Sequence, residues 1–274
     1  MTFARIAAAP LRGLEEAGTQ SWFYLRAYGL VPLTLKRYKR EVFRVLAEVS
    51  FGTGALAVIG GTVVVCAFLT SFAGIELGIQ GFNQLSNIGV EALSGFVSAY
   101  INTRLAAPII AGIALVATIG AGFTAQLGAM RVSEEIDALD VMAVPSVPFL
   151  VTTRIVAGFL AVIPIYALSL LAAYTATQLV VTGVYGQSSG AYGHYFRTFL
   201  IPSDILSSFL MVLIMSVVVM SIHCYYGFFA SGGPAGVGRA VGRAVRLSLI
   251  AVLFTNLLLS MVLYGNSHTL HISG

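Results

Sequence analysis

Residues 117–154, ATIGAGFTAQLGAMRVSEEIDALDVMAVPSVPFLVTTR, decide how the chain folds. A glycine-rich apolar run gives way at Arg131 to a short acidic segment, and a second apolar run starts after Pro145. Ser133 is a candidate N-cap, followed by Glu134, Glu135 and Asp137 in the first turn, where the helix dipole favours negative charge. Pro145 closes the helix, because the residue before a proline is pushed away from helical angles. At about 100° per residue, Val132, Ile136, Leu139 and Ala143 share one face, while Glu134, Asp137 and Asp140 lie opposite. The pattern predicts a helix over 131–144 that needs apolar cover on one side only.

Two readings fit such a helix: a solvated connection between neighbours, or a docking surface for a soluble partner. Both flanking segments are long and uncharged, which makes the helix a turn between membrane spans, and four acids exceed what a tether needs. A docking surface fits this position better.

Composition supports the membrane assignment. With 58% hydrophobic and 9% charged residues, against about a quarter charged in soluble domains, the chain is expected to be an integral membrane protein. Its mean hydropathy is +0.91. The formal net charge of +4 does not point to nucleic acid, because the basic residues gather at span ends and not in one patch. Cys66 and Cys224 both lie in apolar runs and read as small apolar filler. No cleavable signal peptide is expected, and the first span is expected to direct insertion.

Residues 1–48 carry eight Lys/Arg interleaved with Trp22, Phe23, Tyr24, Tyr28, Tyr38 and Phe43, the composition of an interfacial helix on the cytoplasmic leaflet. Residues 49–274 then form one membrane domain. Charge-free intervals long enough to span predict about five transmembrane helices, near 51–73, 93–129, 150–182, 204–226 and 244–265. Residues 75–92 are expected as an external loop or a shallow helix, 183–204 as an external loop, and 227–246 as a glycine-rich cytoplasmic loop. A cytoplasmic N-terminus and an external C-terminus put the eight N-terminal cations plus Arg131, Arg154, Arg239, Arg243 and Arg246 inside, leaving only Arg104 and Arg197 outside. The fold class is therefore an all-α integral membrane protein with an N-terminal interfacial helix.

The segments AGFTAQLGAMRVSEEIDALDVMAV and SGGPAGVGRAVGRAV together resemble the YrbE/MlaE family of permeases, the transmembrane halves of ABC-type lipid transporters that work with MCE-domain proteins. NIGVEA, HYFRTFLIPSD and HCYYGFFASGGP are more similar to the B-type YrbE subunit of actinobacterial Mce systems than to homodimeric MlaE. The resemblance implies that 131–144 is the coupling helix, with Arg131, Glu134, Glu135, Asp137, Leu139, Asp140 and Met142 meeting a cytoplasmic ATPase. It further implies an A-type partner permease, MCE proteins assembled as a hetero-hexamer, a lipid substrate and a plasma (inner) membrane location. ATP and Mg²⁺ would bind the ATPase and no cofactor this chain. The sequence departs from the family pattern at Gln126 (often Glu), Pro145-Ser146 (usually Asp-Pro), Thr153 (often Pro) and Asn256 (commonly Asp), changes that fit a subunit specialised beside a non-identical partner.

No catalytic set assembles. His194 and His223 are far apart in sequence, His268 and His271 end the chain as HTLH, and no GxxxxGK[ST] occurs, so energy must come from a partner. GAGFTA at 120–125 resembles a dinucleotide fingerprint but lacks a strand before it; Gly120, Thr124 and Gly128 at helical spacing instead allow close helix packing. In the second cytoplasmic loop, Gly236 belongs to a turn, and Arg239, Arg243 and Arg246 share a helix face, serving as a second docking element, as an anchor for the last span, or as both. Phe68, Phe72, Met215, Phe254 and Asn256 are candidate walls of a lipid cavity, with ordinary bundle packing as the alternative. The expected function is lipid import, of sterols or of fatty or mycolic acids. A non-gating scaffold for MCE proteins and an MlaE-like phospholipid transporter are the alternatives.

Overall fold

A computed structural model describes residues 18–51 and 61–265. Three helices come first, α1 (18–29), α2 (Val31–Arg37) and α3 (Lys39–Phe51). They are followed by α4 (Gly61–Ser86), α5 (Glu91–Val132), the short α6 (Glu135–Val141) and α7 (Val147–Val184). The chain ends with α8 (Ser189–Phe199), α9 (Pro202–Phe228) and α10 (Gly233–Tyr264). No strand occurs among the described residues. Helices α4, α5, α7, α9 and α10 are each long and apolar enough to cross a membrane, so the protein is a multi-pass membrane protein.

Helix α7 sits in the middle, packed on α4, α3 and α9. Its seam with α4 is built from small residues and threonines, because helices in lipid associate by close approach and by hydrogen bonds, with no hydrophobic drive between them. A Cβ on Gly74 would lie 2.4 Å from Ala173 O, so only glycine lets these backbones meet. Thr70 Oγ1 donates to Ser169 O at 2.9 Å, and Thr177 Oγ1 donates to Gly74 O at 2.8 Å while accepting from Asn102 Nδ2 of α5 at 3.0 Å. On the other flank α10 buries Gly236, Ala240, Ala244, Ser248, Val252 and Asn256 at a strict four-residue spacing and turns its remaining surface outward. Between the flanks, Met211, Met215, Val219 and Met220 of α9 fill the centre.

Several boundaries differ from the sequence expectation. Residues 52–60 of the expected first span fall outside the described residues, and α4 continues past 73 to Ser86. It continues because Thr70, Gly74 and Gly78 keep the four-residue register against α7, while Glu76 and Gln80 stay on the exposed side. The supposed external loop at 183–204 contains α8, whose Tyr192 is buried against the start of α5. The glycine-rich loop shrinks to Phe229–Gly232. Gly232 (φ 90°) and Gly233 (φ 66°) make the sharp turn that only glycine takes without strain, and Pro234 lies in the first turn of α10. Spans two, three and four run over α5, α7 and α9, each a few residues longer than expected.

The N-terminal helices pack directly on the bundle. Trp22, Leu25 and Phe43 point outward, but Phe23, Ala27, Thr34, Val42 and Val45 are buried on the bundle. Thr34 Oγ1 donates to Pro148 O at 3.2 Å, Thr152 Oγ1 donates to Ala27 O at 3.1 Å, and Tyr28 OH is hydrogen-bonded to Ser221 Oγ. Phe23 meets Tyr225, Phe228 and Phe229 with ring centroids 5.4–5.6 Å apart, fastening α1 to the end of α9. Desolvation in this aromatic cluster pushes the Tyr24 and Tyr28 hydroxyls above their ordinary titration range.

Candidate functional site

Helix α6 hangs between α5 and α7 on two left-handed turns, Glu134 (φ 61°) and Ala143 (φ 57°). These turns correct the expected helix of 131–144. Arg131 and Val132 complete α5, and Ser133 is no N-cap, since its Oγ donates back to Ala129 O at 3.1 Å as α5 ends. The left-handed Ala143 stops α6 before Pro145 is reached. A non-glycine residue held at positive φ stores backbone strain, and such positions cluster at switch regions.

One side chain anchors the helix. Ile136 is 1% exposed and belongs to the main core, Leu139 is half-buried, and the expected partners Val132 and Ala143 lie exposed. The four acids do not act alike. Asp137 accepts from Arg131 Nη1 at 2.6 Å, and Asp140 accepts from Ser146 N and Ser146 Oγ, both at 3.2 Å, capping the start of α7. Glu135 accepts from Ser133 Oγ at 2.9 Å, whereas the Glu134 carboxylate has no protein partner among the described residues. The outward surface left for a partner is therefore Glu134 and Glu135 beside two apolar side chains, Val141 (88% exposed) and Met142 (64% exposed). A small apolar patch rimmed by charge is the usual form of a protein contact.

The other expected docking element lies at the same end. A Cβ on Gly128, near the end of α5, would press on Val237 and Ala230. Arg239, Arg243 and Arg246 are exposed on the first turns of α10, with Arg243 over the Tyr226 ring at 5.8 Å. Gly236 is buried and structural: a Cβ there would lie 1.8 Å from Ser231 O. Beside α6, a cleft of about 400 Å³ opens between Arg26, Asp140, Phe228 and Phe229.

Behind α6 a polar chain ties three helices together. Arg154, buried at the base of α7, donates Nη1 to Leu150 O at 3.0 Å and Nη2 to Gln126 Oε1 at 3.4 Å. Gln126 Nε2 donates to Glu48 Oε1 at 2.7 Å, and Glu48 is ion-paired with Arg44 at 3.3 Å. Arg44 also hydrogen-bonds Glu41 and holds that carboxyl below the usual carboxylate range. The helices α7, α5 and α3 behind α6 are thus cross-linked to one another by side-chain hydrogen bonds.

The candidate cavity residues do not come together. Met215 is in the core and Asn256 is buried on α10, while Phe68 and Phe72 on α4 and Phe254 on α10 are largely exposed on outward faces. Residue type alone marked them, and helix rotation separated them. A groove of about 380 Å³ opens elsewhere, between α4 and α5, where Glu76 and Gln80 stand over Ala73, Leu77, Ile101, Leu105 and Ile109.

Sequence reasoning also missed a buried ion pair. Arg104 (5% exposed) lies in a wide π-type stretch of α5, Ser98–Ala106, and donates to Asp204 Oδ2 of α9 from Nε at 2.7 Å and Nη2 at 2.6 Å. Its Nη1 donates to Tyr100 OH at 2.9 Å, and its plane lies 4.3 Å and 4.7 Å from the Tyr100 and Tyr264 ring centroids. The only signal was that each charge stood at the edge of an apolar run. No group of three or more His, Cys, Asp or Glu that could hold a metal occurs among the described residues.

The family profile "Permease MlaE" matches residues 51–262. The chain belongs to the MlaE permease family. Among its relatives, a probable ABC transporter permease protein of Rickettsia bellii is 29% identical over 202 residues, 73% of this chain and 77% of that protein. The chloroplastic protein TRIGALACTOSYLDIACYLGLYCEROL 1 of Arabidopsis thaliana is 29% identical over 196 residues, which cover 72% of this permease but 56% of the plant protein. The Haemophilus influenzae intermembrane phospholipid transport system permease protein MlaE is 25% identical over 195 residues, 71% of this permease and 75% of its own length. The profile covers all five spans and α6, so the permease fold and the short helix belong to the same family unit.

Proposed function

We propose that this permease is one transmembrane half of an Mce-type ABC lipid importer, paired with a related A-type half, driven by a cytoplasmic ATPase and fed by a hetero-hexamer of MCE proteins. The observation that carries this reading is α6: seven residues on strained turns, one buried anchor, and an outward patch of Glu134, Glu135, Val141 and Met142. ATP-driven closure of the ATPase dimer pushes on this patch. The force passes through Ile136 and the Arg154–Gln126–Glu48 chain to α7, α5 and α3 and reshapes the space between the two halves. ATP and Mg²⁺ are held by the ATPase. The substrate is an envelope lipid, of the sterol or fatty and mycolic acid classes.

The charge distribution supports a cytoplasmic N-terminus and an external C-terminus in the plasma membrane. The α6 end carries Arg131, Arg154, Arg239, Arg243 and Arg246 and adjoins the basic helices α1 to α3, while Arg104 and Arg197 lie toward the other end. The test is to purify the tagged permease from its native membrane in mild detergent and identify what accompanies it by mass spectrometry. An ABC ATPase, a second YrbE-like permease and MCE proteins are expected together. Recovery of the chain alone, or of MCE proteins without an ATPase, would instead make the protein a scaffold.

A further inference from the structure

Glu76 lies about 15 Å inside the far end of α4, by the rise of ten helical residues, and it is exposed. Among the described residues it has no cationic partner, and its Oε1 accepts from Gln80 Nε2 at 2.5 Å. A carboxylate on the outward side of a spanning helix is costly against acyl chains and marks a functional position. Here it forms the rim of the groove between α4 and α5, over a bed of Ala73, Leu77, Ile101, Leu105 and Ile109. The arrangement is amphiphilic. The bed accepts a hydrocarbon body, and the rim presents two acceptors, the second oxygen of Glu76 and the amide oxygen of Gln80, with the second N–H of the Gln80 amide as a neutral donor beside them.

The geometry points to a lipid-selecting site in which Glu76 and Gln80 accept a hydrogen bond from the hydroxyl of an uncharged lipid and repel lipids with carboxylate or phosphate heads. This rests on the transporter reading above, in which the far end of α4 is the outer end and the groove receives substrate arriving from MCE proteins. The rim has no guanidinium, ammonium or helix N-terminus to take up an anionic head. Arg104, on the same helix as Ile101 and Leu105, is buried in the bundle and engaged by Asp204 and Tyr100. A hydroxyl needs an acceptor, and here finds two. A site built to accept a hydroxyl proton discriminates strongly against a head that cannot supply one.

The test uses the intact complex in nanodiscs and two photoactivatable probes with the same mid-chain diazirine, 1-hexadecanol and palmitate. The alcohol is expected to label peptides 73–80 and 101–110 about ten-fold more than palmitate, and unlabelled 1-hexadecanol, but not its methyl ether, should compete. Glu76→Gln should bring the ratio within about three-fold, mainly by admitting palmitate, and Glu76→Lys should reverse it. Equal labelling of the wild type by both probes would overturn the proposal, as would a ratio that Glu76→Gln leaves unchanged. Cysteine crosslinks from position 73 to the partner permease in place of lipid labelling would assign this face to the subunit interface and also overturn it. Co-purification of the ATPase with each variant keeps these outcomes separate from a failure of the transporter reading.

Discussion

Asp204→Ala is expected to lower the midpoint of heat-induced loss of the monodisperse detergent-solubilised protein by about 10 °C or more, because losing one partner of a buried pair costs about 3–5 kcal/mol. Arg104 would stay inside the bundle, beside the Tyr100 hydroxyl and the Tyr100 and Tyr264 rings, without its carboxylate counter-charge on α9. The pair ties α5 to α9, and Tyr264 OH donates to Asp204 O at 3.4 Å, so α10 is drawn in as well. The companion variant decides the cause. Arg104→Met combined with Asp204→Ala removes the stranded charge, and it is expected to recover most of the lost midpoint even though two hydrogen-bonding side chains are gone. If the double variant were less stable than Asp204→Ala alone, the penalty would come from lost packing and not from an uncompensated charge. Membrane burial sharpens the contrast, since there is little water to take up an orphaned guanidinium.

Ile136→Asp is expected to release α6 while leaving the five spans assembled. The wild-type side chain is the one fully buried residue of α6, and its loss removes about 2–5 kcal/mol of packing while placing a carboxylate where no partner waits. A helix of seven residues cannot persist without tertiary support. Trypsin cleavage after Arg131 should therefore accelerate at least ten-fold, as expected when a locally opened segment loses a few kcal/mol. The thermal midpoint of the bundle should fall much less than for Asp204→Ala. Lipid uptake should drop to background with the permease still in the membrane, because the outward patch of Glu134, Glu135 and Met142 no longer has a fixed orientation. Unchanged cleavage at Arg131 would mean that Ile136 does not anchor the helix.

Much of the architecture was legible because a span needs a long run without charge, and such runs announce themselves. The misreadings have specific causes. Glu76 and Gln80 read from polarity as the start of an external loop or shallow helix, whereas α4 stays one helix through them because Thr70, Gly74 and Gly78 are buried against α7, a partner that local sequence does not reveal. Arg104 and Asp204 are one hundred positions apart and each adjoins an apolar run, so nothing local joins them. In the acidic helix, composition marked the right segment, but charge counting made all four acids equivalent. The structure spends Asp137 on Arg131 and Asp140 on Ser146, and it leaves Glu134 and Glu135 facing outward. The candidate cavity residues share a chemistry but not a face: Phe68, Phe72 and Phe254 have the chemistry of lipid contact, and helix rotation sets them on the outside, apart from the buried Met215 and Asn256.

The most direct measurement of coupling is the ATPase rate of the purified complex in nanodiscs, with and without added lipid, for the wild type and for the combined Glu134→Gln, Glu135→Gln and Met142→Ser variant. All three side chains are exposed or outward-facing, so the substitutions do not disturb the core. Lipid is expected to stimulate the wild-type rate, and the variant should lose that stimulation together with about ten-fold or more of its affinity for the ATPase, since a few central side chains carry most of a contact of this size. An unaltered lipid-stimulated rate in the variant would contradict transmission through α6.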